Sequence, residues 1–171
     1  RLKMASSKSK EPMGLDALFE HALKDMYYAE KKIYRSLPKM IRAADDPTLK
    51  EALTAHRDET QGQIEVLEQV FELLGKRPKA EQCDAMDGIL EEATSLLEDF
   101  QGGAANDSAI IFSAQAVEHY EISRYGSMHA YAVQLKMKDA AKLIKGILDQ
   151  EYAADKSLSA LAEEQLNAKA A

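Results

Sequence analysis

Two glutamates in matching settings suggest the chemistry that this sequence can do. Glu30 lies in Ala29-Glu30-Lys31-Lys32-Ile33-Tyr34 and Glu121 in Tyr120-Glu121-Ile122-Ser123-Arg124-Tyr125, each with a tyrosine four positions on. On a helix that spacing puts both side chains on one face. The same face carries Leu23, Tyr27, Leu37 and Ile41 around Glu30, and Ile111, Ala114, Met128 and Ala132 around Glu121. Both carboxylates are therefore expected to point inward. Each has a further glutamate about one helix downstream, Glu59 after 29 residues and Glu151 after 30. Burying one such charge costs several kcal/mol unless something compensates. Two divalent cations would balance four carboxylates, as in carboxylate-bridged dimetal sites inside helical bundles. The plainer alternative is that some of the four face solvent or a Lys or Arg partner.

Three more side chains fall close to this set. His56 lies one turn before Glu59, Glu118 three positions before Glu121, and Asp155 one turn after Glu151. The expected ligands are thus Glu30, Glu59, Glu121 and Glu151, with His56, Glu118 and Asp155 as further candidates. The alternative for His56 is a core histidine bonded to a carboxylate, and for Glu118 and Asp155 a supporting or surface carboxylate. An oxygen-rich set of this kind suits Fe or Mn, and is compatible with Mg or Ca. Tyr34 and Tyr125 are expected to donate hydrogen bonds to the carboxylates. His21, His119 and His129 read as surface or interface residues, and Cys83 as structural.

The elements that would position these groups are helical. Apolar positions from Leu15 through Leu18, Phe19, Leu23, Met26, Ile33 and Leu37 to Ile41 keep the helical period, with Pro38 expected to kink the run. Asp45-Asp46-Pro47-Thr48 breaks the chain and restarts it, with Asp46 as N-cap and Pro47 at the first helical position. The second stripe, Leu49, Leu53, His56, Glu59 or Thr60, Gln63, Leu67 and Val70, is closed by Gly75 and Pro78. Some thirty residues follow, holding a shorter amphipathic pattern at Met86, Ile89, Leu90, Ala93, Leu96, Leu97 and Phe100. A third long helix is expected from about Ser108 to Gln134, and a fourth after a short turn capped by Asp139.

This predicts an all-α fold, a four-helix bundle of two antiparallel hairpins with a long helical crossover between helices two and three. Counted from the two turns at about 1.5 Å per residue, the four glutamates reach one mid-bundle layer. Residues 1–14 read as a flexible N-terminal lead, with a native start expected at Met4, and residues 15–171 as one domain.

Composition narrows the function. A chain of 171 residues, 46% hydrophobic and 30% charged, can bury a real core. A net charge of −7 gives no footprint for nucleic acid. The single cysteine precludes an internal disulfide and fits a reducing, cytoplasmic setting. No apolar run approaches the roughly 18 residues that span a bilayer, so no membrane contact is expected.

The strings Asp25-Met-Tyr-Tyr-Ala-Glu30, His56-Arg-Asp-Glu59-Thr60-Gln-Gly-Gln63 and Glu118-His-Tyr-Glu121-Ile-Ser-Arg-Tyr125-Gly resemble the YciE/YciF-type branch of the ferritin-like superfamily, over nearly everything from Leu15 to Leu166. That resemblance implies a ferritin-like bundle, a homodimer related to rubrerythrin, and a place in bacterial stress responses. The chain departs from ferritins in one respect. Their second and fourth helices carry Glu-x-x-His, whereas three residues beyond Glu59 and Glu151 stand Gly62 and Ala154.

Two functions therefore fit. One is a stress protein holding two metal ions per chain, Fe first and Mn second, and acting on a small oxidant such as peroxide or oxygen. The other is a non-catalytic dimeric bundle with a vestigial acidic site. The apolar stripe of the crossover, through Ile89, Leu90, Leu96, Leu97 and Phe100, is expected to stay partly uncovered and so to favour a dimer.

Overall fold

The computed structural model describes residues 13–171. The expected N-terminal lead and the start at Met4 fall on residues 1–12, outside the described residues, save for Met13 and Gly14. All regular structure among the described residues is helical: α1 (Leu15–Ala43), α2 (Pro47–Leu73), α3 (Asp84–Phe100), α4 (Asn106–Gln134) and α5 (Lys138–Leu161), the last running on through a π-helical turn, Ala162–Leu166, into a final turn, α6 (Asn167–Ala170).

Local chemistry sets the helix boundaries. Asp46 caps α2, its side chain accepting from the backbone N–H of Thr48 at 2.9 Å and of Leu49 at 3.2 Å, with Pro47 at the first position where no N–H is needed. The far end of α2 closes on Gly75, whose φ of 66° lets its N–H reach Glu72 and that of Lys76 reach Phe71. α1 runs through Pro38 as one helix. The turn into α5 differs from expectation, because Asp139 is not the cap. Lys136 takes the left-handed conformation at φ 60°, and the N–H groups of Lys136 and Met137 bond back to Val133 and Ala132. The backbone closes this turn itself, and α5 starts at Lys138 with no side-chain cap.

α1 packs against α2 and α4, α4 against α5, and α5 against α2. Leu23, Met26 and Ile33 of α1, Leu49, Leu53 and Leu67 of α2, Ile110, Ile111 and Met128 of α4, and Ile144 and Ile147 of α5 form one apolar core. α3 lies on α1 and α4. Its stripe is covered more fully than expected: Met86, Ala93 and Leu97 are buried, Ile89 and Leu90 pack on the core, and Phe100 is the large apolar side chain of α3 left exposed. The loop between α1 and α2 is stitched to the start of α4. Asp107 accepts from the backbone of Asp45 and Asp46 at 2.7 and 3.0 Å, and Asn106 donates to the Ala43 carbonyl at 2.8 Å. That stitching fixes the register of α4 against α1, and with it the heights at which Glu30 and Glu121 meet.

Candidate metal centre

Glu30 on α1, Glu118 and Glu121 on α4, and Glu151 on α5 are all buried in the interior, at 0 or 1% exposure, and His56 on α2 joins them at 7%. One nitrogen of His56 and one oxygen each of Glu118 and Glu151 lie within 4.8 Å of one another. The carboxylate quartet of the core is therefore Glu30, Glu118, Glu121 and Glu151.

Glu59 is a correction to the sequence reading. It is exposed, and the inward positions of α2 are His56, Thr60, Gln63 and Leu67, the spacing of a single helical stripe. Glu59 sits one residue off that stripe, at the edge of a cleft whose floor includes His56 and Glu118. Thr60 takes its inward place and turns its hydroxyl back onto the His56 carbonyl at 2.8 Å. Asp155 lies apart from the quartet. It is half-buried, one turn beyond the layer, and accepts from Gln115 and faces His119 Nε2, each at 3.0 Å. Polar neighbours on α4 hold it at the rim, and with it His119, exposed as expected.

The tyrosines divide in the same way. The Tyr125 hydroxyl donates to Glu30 Oε1, with both groups buried. Tyr34 does not reach the layer; its hydroxyl accepts from Arg57 at 3.0 Å and its ring lies under that guanidinium. Gln63, on the inward stripe of α2, donates to Glu151 Oε1 and to Gln150.

Electrostatics follow from this crowding. Burial raises the Glu30 carboxyl to about 8, helped by the charge of Glu151 and opposed by the hydrogen bond from Tyr125. Burial, then the hydrogen bond and charge of Glu151, push Glu118 up to about 11. Glu121 is raised well above the carboxylate range, by burial first and by the charges of Glu151, Glu30 and Glu118 after it. Burial pushes His56 down, which keeps the imidazole neutral and its nitrogens available as ligands. Even outward-lying Glu59 is raised, by partial desolvation and by Glu151.

Contacts among the acids leave many ligand atoms unserved. Glu30 Oε2, both nitrogens of His56, Glu118 Oε2, both oxygens of Glu121 and Glu151 Oε2 are buried with no aligned hydrogen-bond donor or acceptor in the protein. His56 Nδ1 stands 3.4 Å from Glu118 Oε1 without the alignment of a hydrogen bond. Buried polar atoms in such number are rare in folded proteins. Among them His56, Glu118 and Glu151 converge, and one imidazole nitrogen with two carboxylate oxygens is a donor set that fits a divalent cation.

The chain matches, over residues 14–171, the family described as "Domain of unknown function (DUF892)". It is 42% identical to Protein YciF of Escherichia coli (strain K12) over 157 residues, which are 91% of this chain and 95% of that protein. The crystal structure of the E. coli stress protein YciF superposes with a TM-score of 0.86 at 41% identity, covering 91% of this chain and 99% of that one. YcfI from Rhodopseudomonas palustris, described provisionally as a structural protein, superposes with a TM-score of 0.85 at 42% identity, covering 88% and 96%. The YciE/YciF-type resemblance read from the three sequence strings is the relationship these matches show.

Proposed function

The chain belongs to the DUF892 family, and from that premise we propose that it is a YciF-type stress protein that holds two divalent transition-metal ions in the carboxylate layer, Fe by preference and Mn as the alternative. The fold that serves this reading is a ferritin-like four-helix bundle, with α1–α2 and α4–α5 as its antiparallel hairpins and α3 carried in the crossover. The observation that carries it is the unserved layer: four buried carboxylates and a neutral histidine, with seven ligand atoms lacking a protein partner. Two divalent ions supply about four positive charges to that layer, which offsets the desolvation of the acids.

When bound, such ions supply redox and Lewis-acid chemistry to a small oxidant such as peroxide or oxygen. The protein's own part is positional. Tyr125 fixes the Glu30 carboxylate and Gln63 fixes Glu151, which leaves one oxygen of each free for an ion. Glu118 and Glu121 hold protons until a cation displaces them, so loading releases protons. The same reading has the protein as a cytoplasmic homodimer without nucleic-acid partners; no helix of the described residues is long and apolar enough to cross a membrane.

A second reading, a structural bundle without metal, draws on the raised carboxyls of Glu30, Glu118 and Glu121, whose retained protons neutralise part of the layer. Elemental analysis separates the two. Protein purified without added metal is expected to carry Fe or Mn, and apo protein to take up to two ions per chain. Absence of metal as purified together with no uptake on titration favours the structural bundle.

A further inference from the structure

The carboxylate layer is buried, yet one side of it is open. A cleft of about 180 Å³ lies between α2 and α5, with the exposed Ala55, Glu59, Ala153 and Ser157 on its rim and the buried His56 and Glu118 at its floor. It has room for several waters, each needing roughly 10 to 15 Å³ on this scale. On the opposite side of His56 and Glu118 the packing is tight, with a void of about 10 Å³ walled by apolar residues such as Ile33, Leu37 and Met40. The small side chains that line the α2–α5 side keep it from closing in the same way.

The polar groups of the cleft run from outside inward. Glu59 is the charged side chain on its rim, and below it His56 and Glu118 present buried atoms without protein partners, both imidazole nitrogens and Glu118 Oε2. An exposed carboxylate at the mouth of a low-dielectric cleft concentrates cations there. It also replaces part of the hydration shell that an ion must shed before it goes deeper.

We propose that this cleft is the path by which divalent cations reach the buried layer, with Glu59 as the carboxylate that first holds the ion and passes it to His56 and Glu118. The inference rests on the metal reading above and gives Glu59 a different part from the one its spacing suggested. Glu59 acts on the rate of loading, and the layer sets the affinity. Because a path is used in both directions, narrowing it slows arrival and departure alike and leaves the equilibrium in place.

Stopped-flow absorbance with Co²⁺ tests this on the apo protein, comparing the wild type with Glu59→Gln at the mouth and Ala154→Leu within the cleft. Glu59→Gln is expected to load about tenfold more slowly at low salt, the lower end of what charge steering gives, with the difference shrinking as salt is added. Ala154→Leu is expected to load more slowly at every salt concentration. Both are expected to bind as many ions as the wild type with the same Kd. Wild-type loading rates in both variants overturn the path and leave the metal reading standing. A lowered stoichiometry or a raised Kd in Glu59→Gln also overturns it, because Glu59 is then a ligand of the bound ion. A wild type that takes up no Co²⁺ overturns the path and the metal reading together.

Discussion

The Tyr125 hydroxyl on α4 donates to Glu30 Oε1 on α1, a bond that crosses the carboxylate layer between two groups without solvent exposure. Its removal by Tyr125→Phe leaves Oε1 without a donor while keeping the ring packed. A buried acceptor deprived of its partner costs about 1 to 3 kcal/mol, so the metal-free variant is expected to unfold at lower urea by that margin with an unchanged m-value. An unchanged midpoint would mean that Glu30 does not depend on this bond.

Stability of the metal-free protein is expected to fall as pH rises. Glu30 in the unfolded chain loses its proton near 4.5, and in the fold keeps it to about 8. The folded state therefore binds the extra proton between those values. The stabilisation is complete below about pH 4.5 and is lost as pH climbs through 8, at about 1.4 kcal/mol per pH unit for each proton fully retained. Glu118, raised to about 11, extends the loss upward. Urea unfolding in chelator at pH 5.5 and at pH 8.0 measures it. Equal or greater stability at pH 8.0 would contradict the buried-acid arrangement.

Much of this was legible in the sequence, and where it was not, the reasons are local. Asp46-Pro47 and Gly75 act through side-chain capping and a left-handed backbone, which residue identity signals directly. The turn at Lys136 closes through backbone bonds alone, so no residue announced it and Asp139 looked like the cap. The error over Glu59 had a remedy in the numbering. Glu30 and Glu121 are 91 positions apart, as are Tyr34 and Tyr125, and the same offset from Glu151 lands on Thr60. The two hairpins repeat in backbone register, but α2 places a threonine where α5 places a carboxylate, and Glu118 on α4 makes up the fourth acid. Asp155 shares the face of Glu151 by spacing, and only the positions of Gln115 and His119 reveal that it is taken up at the rim.

Lys136 adopts φ 60° where Gly75 meets the same requirement without a Cβ. Both turns carry the paired backbone bonds that follow a helix C-terminus. Lys136→Gly is therefore expected to stabilise the protein by about 0.5 to 1 kcal/mol, the strain relief being partly offset by the greater freedom of glycine in the unfolded chain. Thermal unfolding reads this directly. A lower Tm for Lys136→Gly would show that the lysine side chain contributes more than its backbone costs.

The measurement that bears most directly on a metal-holding layer is a pair of melting curves for Glu121→Leu. Glu121 has neither solvent nor a protein donor at its two oxygens, so replacing it with an apolar side chain of similar size is expected to stabilise the metal-free protein by about 1 to 4 kcal/mol. Bound metal reverses the order, because the wild type gains stability by mass action and the variant, short of a ligand, gains little. The curves cross: the variant melts higher in chelator, the wild type higher in saturating Mn²⁺ or Co²⁺. Glu92→Leu, on the exposed face of α3, serves as control and should move little in either condition. If Glu121→Leu follows Glu92→Leu in both, or keeps its advantage when metal is saturating, the layer does not hold the ions.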